Sequence, residues 1–288
     1  MKLKLRIPGP LVLVPALFIL LWALPALAAD DFFLYGNQGD ANIAEAHAPI
    51  VTDGWFTAVD YFRDGPHEGK MLAANNKSVF IQDAPGSSSW TRVAKVDNVM
   101  DPSFIRISPS GEKVALGLGF GQELLVFEAA LLDSGSPDAP VDLSYNDNVK
   151  TFYERYYDAA WVGEDHLVIN GGWWIVQGVE ANSAVTALDV TSEDNMAVPV
   201  TGTILGASSG IAVDEENNLY FGVGYERVDP GQPTRTGEIK VFPADAWWNG
   251  AGPIGTALSY DGPHGLTIAH NVLSAAYLGF DGEGNLHV

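Results

Sequence analysis

The sequence predicts an all-β protein built from a repeated four-stranded antiparallel unit, and three observations predict it. After Asp30 the chain is a succession of short apolar runs broken by Gly, Pro, Asn and Asp, without long helical periodicity. A strand, a polar turn and a second strand recur five times between Val59 and Val288. The second strands begin near Met71, Val114, Leu167, Leu219 and Leu286. Their spacing is roughly 40–55 residues through the fourth unit and longer into the fifth, the range that a four-stranded propeller blade needs.

The elements follow in order. Val59–Asp64 leads into Lys70–Ala74, and Phe104–Gly111 into Lys113–Gly117. Ala159–Asp165 leads into His166–Ile169, Gly210–Asn217 into Asn218–Gly222, and Ala276–Gly284 into Asn285–Val288. Third strands are predicted at Ser78–Asp83, Glu123–Glu128, Ala184–Val190 and Gly237–Phe242. Fourth strands are predicted around Thr91–Val96, Val141–Ser144, Val198–Ile204 and Thr256–Tyr260. The expected fold is therefore a β-propeller of four-stranded antiparallel blades over residues 55–288. The fifth unit stops inside its second strand, which predicts about four and a half blades and a propeller incomplete at the C-terminus. Residues 29–54 fall outside the repeat and are read as an N-terminal extension or a closing strand.

Residues 1–28 have the form of a secretory signal peptide. Lys2, Lys4 and Arg6 precede an uncharged apolar run, and Ala26-Leu27-Ala28 fits a small-x-small cleavage site after Pro25. The run is long enough to span a bilayer, but Pro8, Pro10, Pro15 and Pro25 favour cleavage over anchoring. The expected product is exported, to the periplasm or the extracellular space, with no membrane span after cleavage.

The chain has 288 residues, of which 47% are hydrophobic and 18% charged, which excludes wholesale disorder. It has no cysteine, which excludes disulfides, thiol nucleophiles, zinc fingers and cysteine-bound clusters. The formal charge is −21, and loss of Lys2, Lys4 and Arg6 makes it more negative. Nucleic acid and anionic lipid surfaces are therefore poor partners. The expected partner of this acidic chain, a monomer, is a protein or a small neutral or cationic ligand at the loop face.

The turn strings Asp214–Tyr220 (DEENNLY) and Asp281–Val288 (DGEGNLHV) resemble the hairpins of NHL-repeat and SMP-30/gluconolactonase-like propellers. Phe104–Leu116 (FIRISPSGEKVAL) resembles the hairpins of TolB and WD40-like propellers. The resemblance covers most of residues 55–288 as architecture and names no substrate. It implies one alternative function. Lactonases of the SMP-30 kind hold a divalent cation at the axial mouth, with carboxylate and Asn ligands in E-G, N-G and D-G contexts. Here Glu68-Gly69 and Asp261-Gly262 stand in the wrong phase, and Ser209-Gly210 stands where that family has N-G. Pro263-His264-Gly265-Leu266 resembles a strand start of streptogramin-lyase-like propellers.

Local motifs for chemistry are sparse. Gly206–Gly210 matches G-x-S-x-G, but a strand candidate follows the serine where a nucleophile elbow needs a helix. His47, His67, His166, His264, His270 and His287 show no zincin spacing. Asp281–Asn285 and Asp214–Asn218 space oxygen-bearing side chains as some calcium loops do, yet read first as tight hairpin turns. The pairs Trp173-Trp174 and Trp247-Trp248, if on strands, would each turn one ring outward. The segment Tyr145–Tyr157, with Tyr153, Arg155, Tyr156 and Tyr157, and the segment Tyr225–Thr236 are long inserts suited to recognition.

The leading expectation is a non-catalytic binding module that uses Tyr153, Arg155, Tyr156, Tyr157, Trp173, Trp174, Trp247 and Trp248. No cofactor is firmly implied. The alternative, a metal-dependent hydrolase, lactonase or lyase, needs one Ca2+ or other divalent cation at the axis. Its candidate ligands are Asp60, Asp101, Asp158, Asp261 and His264, which lie near the starts of predicted strands.

Overall fold

Each apolar run of the repeat pairs with its neighbour through a turn that its own residues dictate. In the computed structural model the described residues are 56–288 without 76–77, 98–101, 119–122, 154–155, 174–181, 193–196, 203, 206–207, 224–236, 273–276 and 282–283. The expected signal (1–28) and extension (29–54) lie outside them. Strands β1 (Ala58–Tyr61), β2 (Met71–Ala74), β3 (Ser78–Gln82) and β4 (Trp90–Lys95) form the first blade in that order. The second blade holds β5 (Phe104–Ile107), β6 (Lys113–Gly117) and β7 (Leu124–Glu128). After β8 (Val141–Asp142), β9 (Lys150–Phe152) completes that blade as its fourth strand.

The third blade is β10 (Asp158–Val162), β11 (His166–Trp173) and β12 (Asn182–Asp189). Its fourth position is shared by β13 (Ala197–Pro199) and β14 (Ile204–Leu205), both paired with β12. The fourth blade is β15 (Ser208–Val213), β16 (Leu219–Val223), β17 (Gly237–Phe242) and β18 (Leu266–Val272). A hairpin of β19 (Gly279–Phe280) and β20 (Leu286–His287) follows as a two-stranded sheet. Pairing within every blade is antiparallel. Among the described residues no helix is long and apolar enough to cross a membrane.

Side chains alternate across a strand, so the second, third and fourth blades each feed two cores. On β6, Val114 and Leu116 pack towards the first blade with Leu72, Ile105 and Phe127, while Ala115 packs towards the third with Phe104, Phe152 and Trp161. On β11, Leu167 and Ile169 join that same second core, while Val168 joins Phe221 and Phe242 of the fourth blade. On β15, Ile211 faces the third blade and Ala212 faces Leu278 beside the last hairpin. Sheets interleaved in this way, face to face and in chain order, make a β-propeller.

Two fourth strands differ from expectation. Val141–Ser144 does not complete the second blade: β8 runs parallel to β4 of the first, with Ala94 opposite Val141. Thr256–Tyr260 does not complete the fourth blade: Leu258 bridges Thr201 beside the third, and β18 takes the expected place. The reason is the same in both. The outermost strand of a blade leaves unpaired backbone groups, and the connection between the third and fourth strands of the following blade covers them. The Trp247-Trp248 pair also departs from expectation. It ends a single helical turn, Ala244–Trp247, that follows Pro243.

Hairpin turns of adjacent blades touch backbone to backbone. Gly111 has φ +73°, and a Cβ there would strike the Asp64 carbonyl oxygen of the first blade's turn. Gly86 has a similar φ of +71° but open space around it. Gly86→Ala is expected to cost about 1 kcal/mol and Gly111→Ala about 3 kcal/mol or more, because the second adds a backbone overlap to the left-handed strain. Urea unfolding of the two variants checks this; equal losses would contradict the interlocked turns.

Candidate axial site

The innermost strands carry a polar residue where an apolar one is expected. Asp60 stands in the run AVDY of β1, Arg106 in FIRI of β5, and Asp158 opens β10. Each of these side chains reaches the backbone of the next blade. Asp60 Oδ2 accepts the Ile107 N–H at 2.7 Å. The Arg106 Nε donates to the Ala159 carbonyl at 2.9 Å. Asp158 Oδ2 accepts the Ile211 N–H at 3.1 Å. The fourth blade has Gly210 at the corresponding place. A Cβ there would collide with the backbone of Tyr277 and Leu278, so glycine lets the last inner strand approach directly. Arg63, at the end of the first inner strand, donates to the Phe280 carbonyl at 3.3 Å and ties the first blade to the last hairpin.

The charges are also tied to one another. Arg106 donates to Asp158 Oδ1 through its second terminal nitrogen and lies 5.1 Å from the centre of the Tyr277 ring. Asp60 Oδ1 accepts the Tyr61 N–H at 2.8 Å, and Asp158 Oδ1 accepts the Ala159 N–H at 2.9 Å. Burial pushes the Asp158 carboxyl up to about 6, against the opposing pull of Arg106 and the two amides. Burial also raises Asp60, again against Arg106. Arg106 is held charged: burial disfavours the cation, but Asp158 and Asp60 outweigh it.

Above this layer a pit of about 670 Å3 opens among the hairpin turns. All five inner strands line it: Asp60 and Arg63, Arg106 and Pro109, Ala160 and Gly163, Val213 and Glu215, Tyr277 and Phe280. Trp248 forms part of its wall, with His166 packed edge-on at 5.0 Å. The turns around the mouth are built from their own polar residues. Asp214 accepts from the backbone N–H of Asn218 at 2.8 Å and from its side-chain amide at 2.9 Å, and Asp281 does the same with Asn285 at the same two distances. The two strings with calcium-loop spacing thus have their aspartates engaged in turn formation. Glu164 binds the backbone and hydroxyl of Ser110, each at 2.7 Å, locking the second turn to the third.

The structure gathers some of the sequence-predicted residues and scatters others. Asp60 and Asp158 meet at the axis, around Arg106. Asp261 lies between β17 and β18, where it accepts Lys240 Nζ at 3.1 Å, and His264 is exposed in the same connection. Asp101 lies outside the described residues. Among the described residues no three His, Asp or Glu converge as metal ligands. Of the aromatic candidates, Trp248 lines the pit. Tyr156 and Trp247 are core residues rather than loop contacts; Trp247 donates to the Asn217 carbonyl at 3.0 Å. Tyr153 is exposed, and Tyr157 donates its N–H to Asn170, both away from the pit lining. Trp173 ends β11, while Arg155, Trp174 and the Tyr225–Thr236 insert lie outside the described residues. The G-x-S-x-G serine, Ser208, opens strand β15. Arg63, Arg106 and Tyr277 were not anticipated, though a cation inside the apolar run FIRI is a legible signal for Arg106.

No protein-family model matches this chain, and no curated protein matches it. Among solved structures it is similar to a chain of a mitotic checkpoint complex, with TM-score 0.44 and 16% identity over 68% of this chain and 49% of that one. It is also similar to Kuenenia stuttgartiensis hydrazine synthase, with TM-score 0.42 and 11% identity over 65% and 50%. The WD40 domain of Neurospora crassa Pan2 has TM-score 0.34 and 12% identity over 63% and 59%. The matches span about half of the first two chains. The propeller assignment rests on the successive four-stranded sheets, their interleaved cores and the inner strands that line one pit.

Removing Arg106 leaves the buried Asp158 carboxylate without its ion-pair partner and the half-buried Asp60 without its nearby cation. Arg106→Met is expected to cost about 3–5 kcal/mol at pH 7. Burial already holds both carboxyls above their unfolded value, so the native state binds protons more tightly than the unfolded chain. Stability from that preference is full below about pH 4 and is lost as pH rises through about 6. The deficit of Arg106→Met should therefore shrink at pH 5, where the uncompensated carboxylates take up protons. Urea unfolding at both pH values measures it, and a deficit that grows at pH 5 contradicts the charge assignment.

Proposed function

We propose that this chain is an exported, non-catalytic binding propeller whose partner, a protein segment, enters the axial pit between the hairpin turns. The observation that carries the reading is the state of the charged groups beneath the pit. Asp60, Arg106 and Asp158 are satisfied by each other and by inter-blade backbone groups. A general acid, base or nucleophile must be free to exchange its proton or bond with substrate. These groups instead support the shape of a cavity, and the cavity combines apolar and polar walls as recognition sites do. Export is supported by the basic start, the apolar run and the small-residue site within residues 1–28.

The test is selection of displayed 12-residue peptides on the mature protein, followed by affinity measurement on two rim variants. Pro109→Arg narrows the pit and Trp248→Ala removes part of its wall; neither residue is in a fully buried core. Each is expected to weaken selected peptides about tenfold, a loss typical of a contact residue in a small interface. Peptides that bind both variants as well as the parent would place recognition elsewhere and overturn the reading.

A further inference from the structure

Resting on the pit as binding site, we propose that its occupant is a basic protein segment that seats a lysine or arginine side chain between Trp248 and Glu215. Both residues line the same cavity, one supplying an aromatic ring and the other a carboxylate. Trp248 is half-buried and its ring is held edge-on by His166, so it is a fixed wall. Glu215 is exposed, and neither it nor the exposed Glu216 is in an ion pair among the described residues. A cation between an aromatic ring and a carboxylate gains from both.

The charges around the cavity point the same way. Every hairpin turn at the mouth carries an exposed acid: Asp64, Glu112 and Glu215, with Asp165 already paired with Lys113 and Asp281 already bound by Asn285 and His287. Two of the three nearby cations are paired with carboxylates, Arg106 with Asp158 and Lys113 with Asp165. Arg106 is neutralised by Asp158 and Asp60, whereas Arg63 holds the Phe280 carbonyl and keeps its charge, so the exposed acids outnumber the one uncompensated cation of the lining. An anionic partner would meet this rim and a chain of formal charge −21. A single small cation would use one wall only, whereas a basic segment meets the cavity and the surrounding turns together.

The test is fluorescence anisotropy with three labelled 12-residue peptide pools: Lys/Arg-rich, neutral, and Asp/Glu-rich. The Lys/Arg-rich pool is expected to bind best and to weaken as salt is raised from 50 to 500 mM. Glu215→Gln and Trp248→Ala should each weaken it about fivefold, while Glu123→Gln, at the opposite end of its blade, should change it little. Equal weakening by all three substitutions would reveal unspecific attraction to an acidic protein and overturn the proposal. A neutral pool that binds equally well, and is lost with Trp248→Ala but not with Glu215→Gln, would overturn the cationic occupant and leave the pit standing. Binding of any pool that is indifferent to Trp248→Ala and Pro109→Arg would overturn the pit itself.

Discussion

The blades are held in order by side chains that cross from one inner strand to the backbone of the next. Asp60 takes the Ile107 amide, Arg106 takes the Ala159 carbonyl, and Asp158 takes the Ile211 amide. Hydrogen bonds to charged groups are worth roughly 1.5–3 kcal/mol each, more than neutral ones, and leaving such a group buried and unpaired costs more still. The sequence of signs matters. A carboxylate can take only a donor and a guanidinium only an acceptor, so the minus-plus-minus series fixes which backbone group each strand must offer. It also lets Arg106 neutralise Asp158 across the same layer.

Around that layer the hydrophobic effect does the bulk of the work. The second, third and fourth sheets each divide their side chains between two cores, and every described core draws on more than one sheet. A lone four-stranded blade would leave one apolar face in water, so the unit that folds is the stack. The outer edges are handled separately, by the inserts that bring Val141–Asp142 beside the first blade and Leu258 beside the third. Function follows from the geometry. Inner strands that converge on buried charges leave a cavity at the turn end, and the turns that frame it must carry Asp, Asn and Gly to form at all. Their acidity is thus partly a by-product of turn chemistry and partly free, as at Glu215 and Glu216.

The repeat was legible because its turns are. DEENNLY and DGEGNLHV share one hydrogen-bonded turn, Asp to Asn in both, and the same geometry results. The first three strands of each complete blade were legible for the same reason. The fourth strands of the second and fourth blades were not. Val141–Asp142 and Thr256–Tyr260 read as strands, and local sequence does not say which sheet a strand joins. The axial site was half legible. Asp60 and Asp158 stand out as charges beside apolar runs, but their common partner Arg106 depends on blade order, which exists only once the sheets stack. Loop aromatics misled for a simple reason: Tyr156 and Trp247 fill cores between blades, where large rings bury the most apolar area.

The axial crossings hold the blades together, and the cavity exists because of them. Native-state hydrogen exchange at the Ile107 and Ile211 amides tests it most directly, since their protons point to Asp60 and Asp158 rather than across a strand ladder. Both are expected to exchange only through global unfolding, with the same free energy as the slowest core amides of β6 and β11. Exchange of either amide by a local opening several kcal/mol cheaper would show that the axis loosens while the blades stay folded, and that the crossings do not hold them.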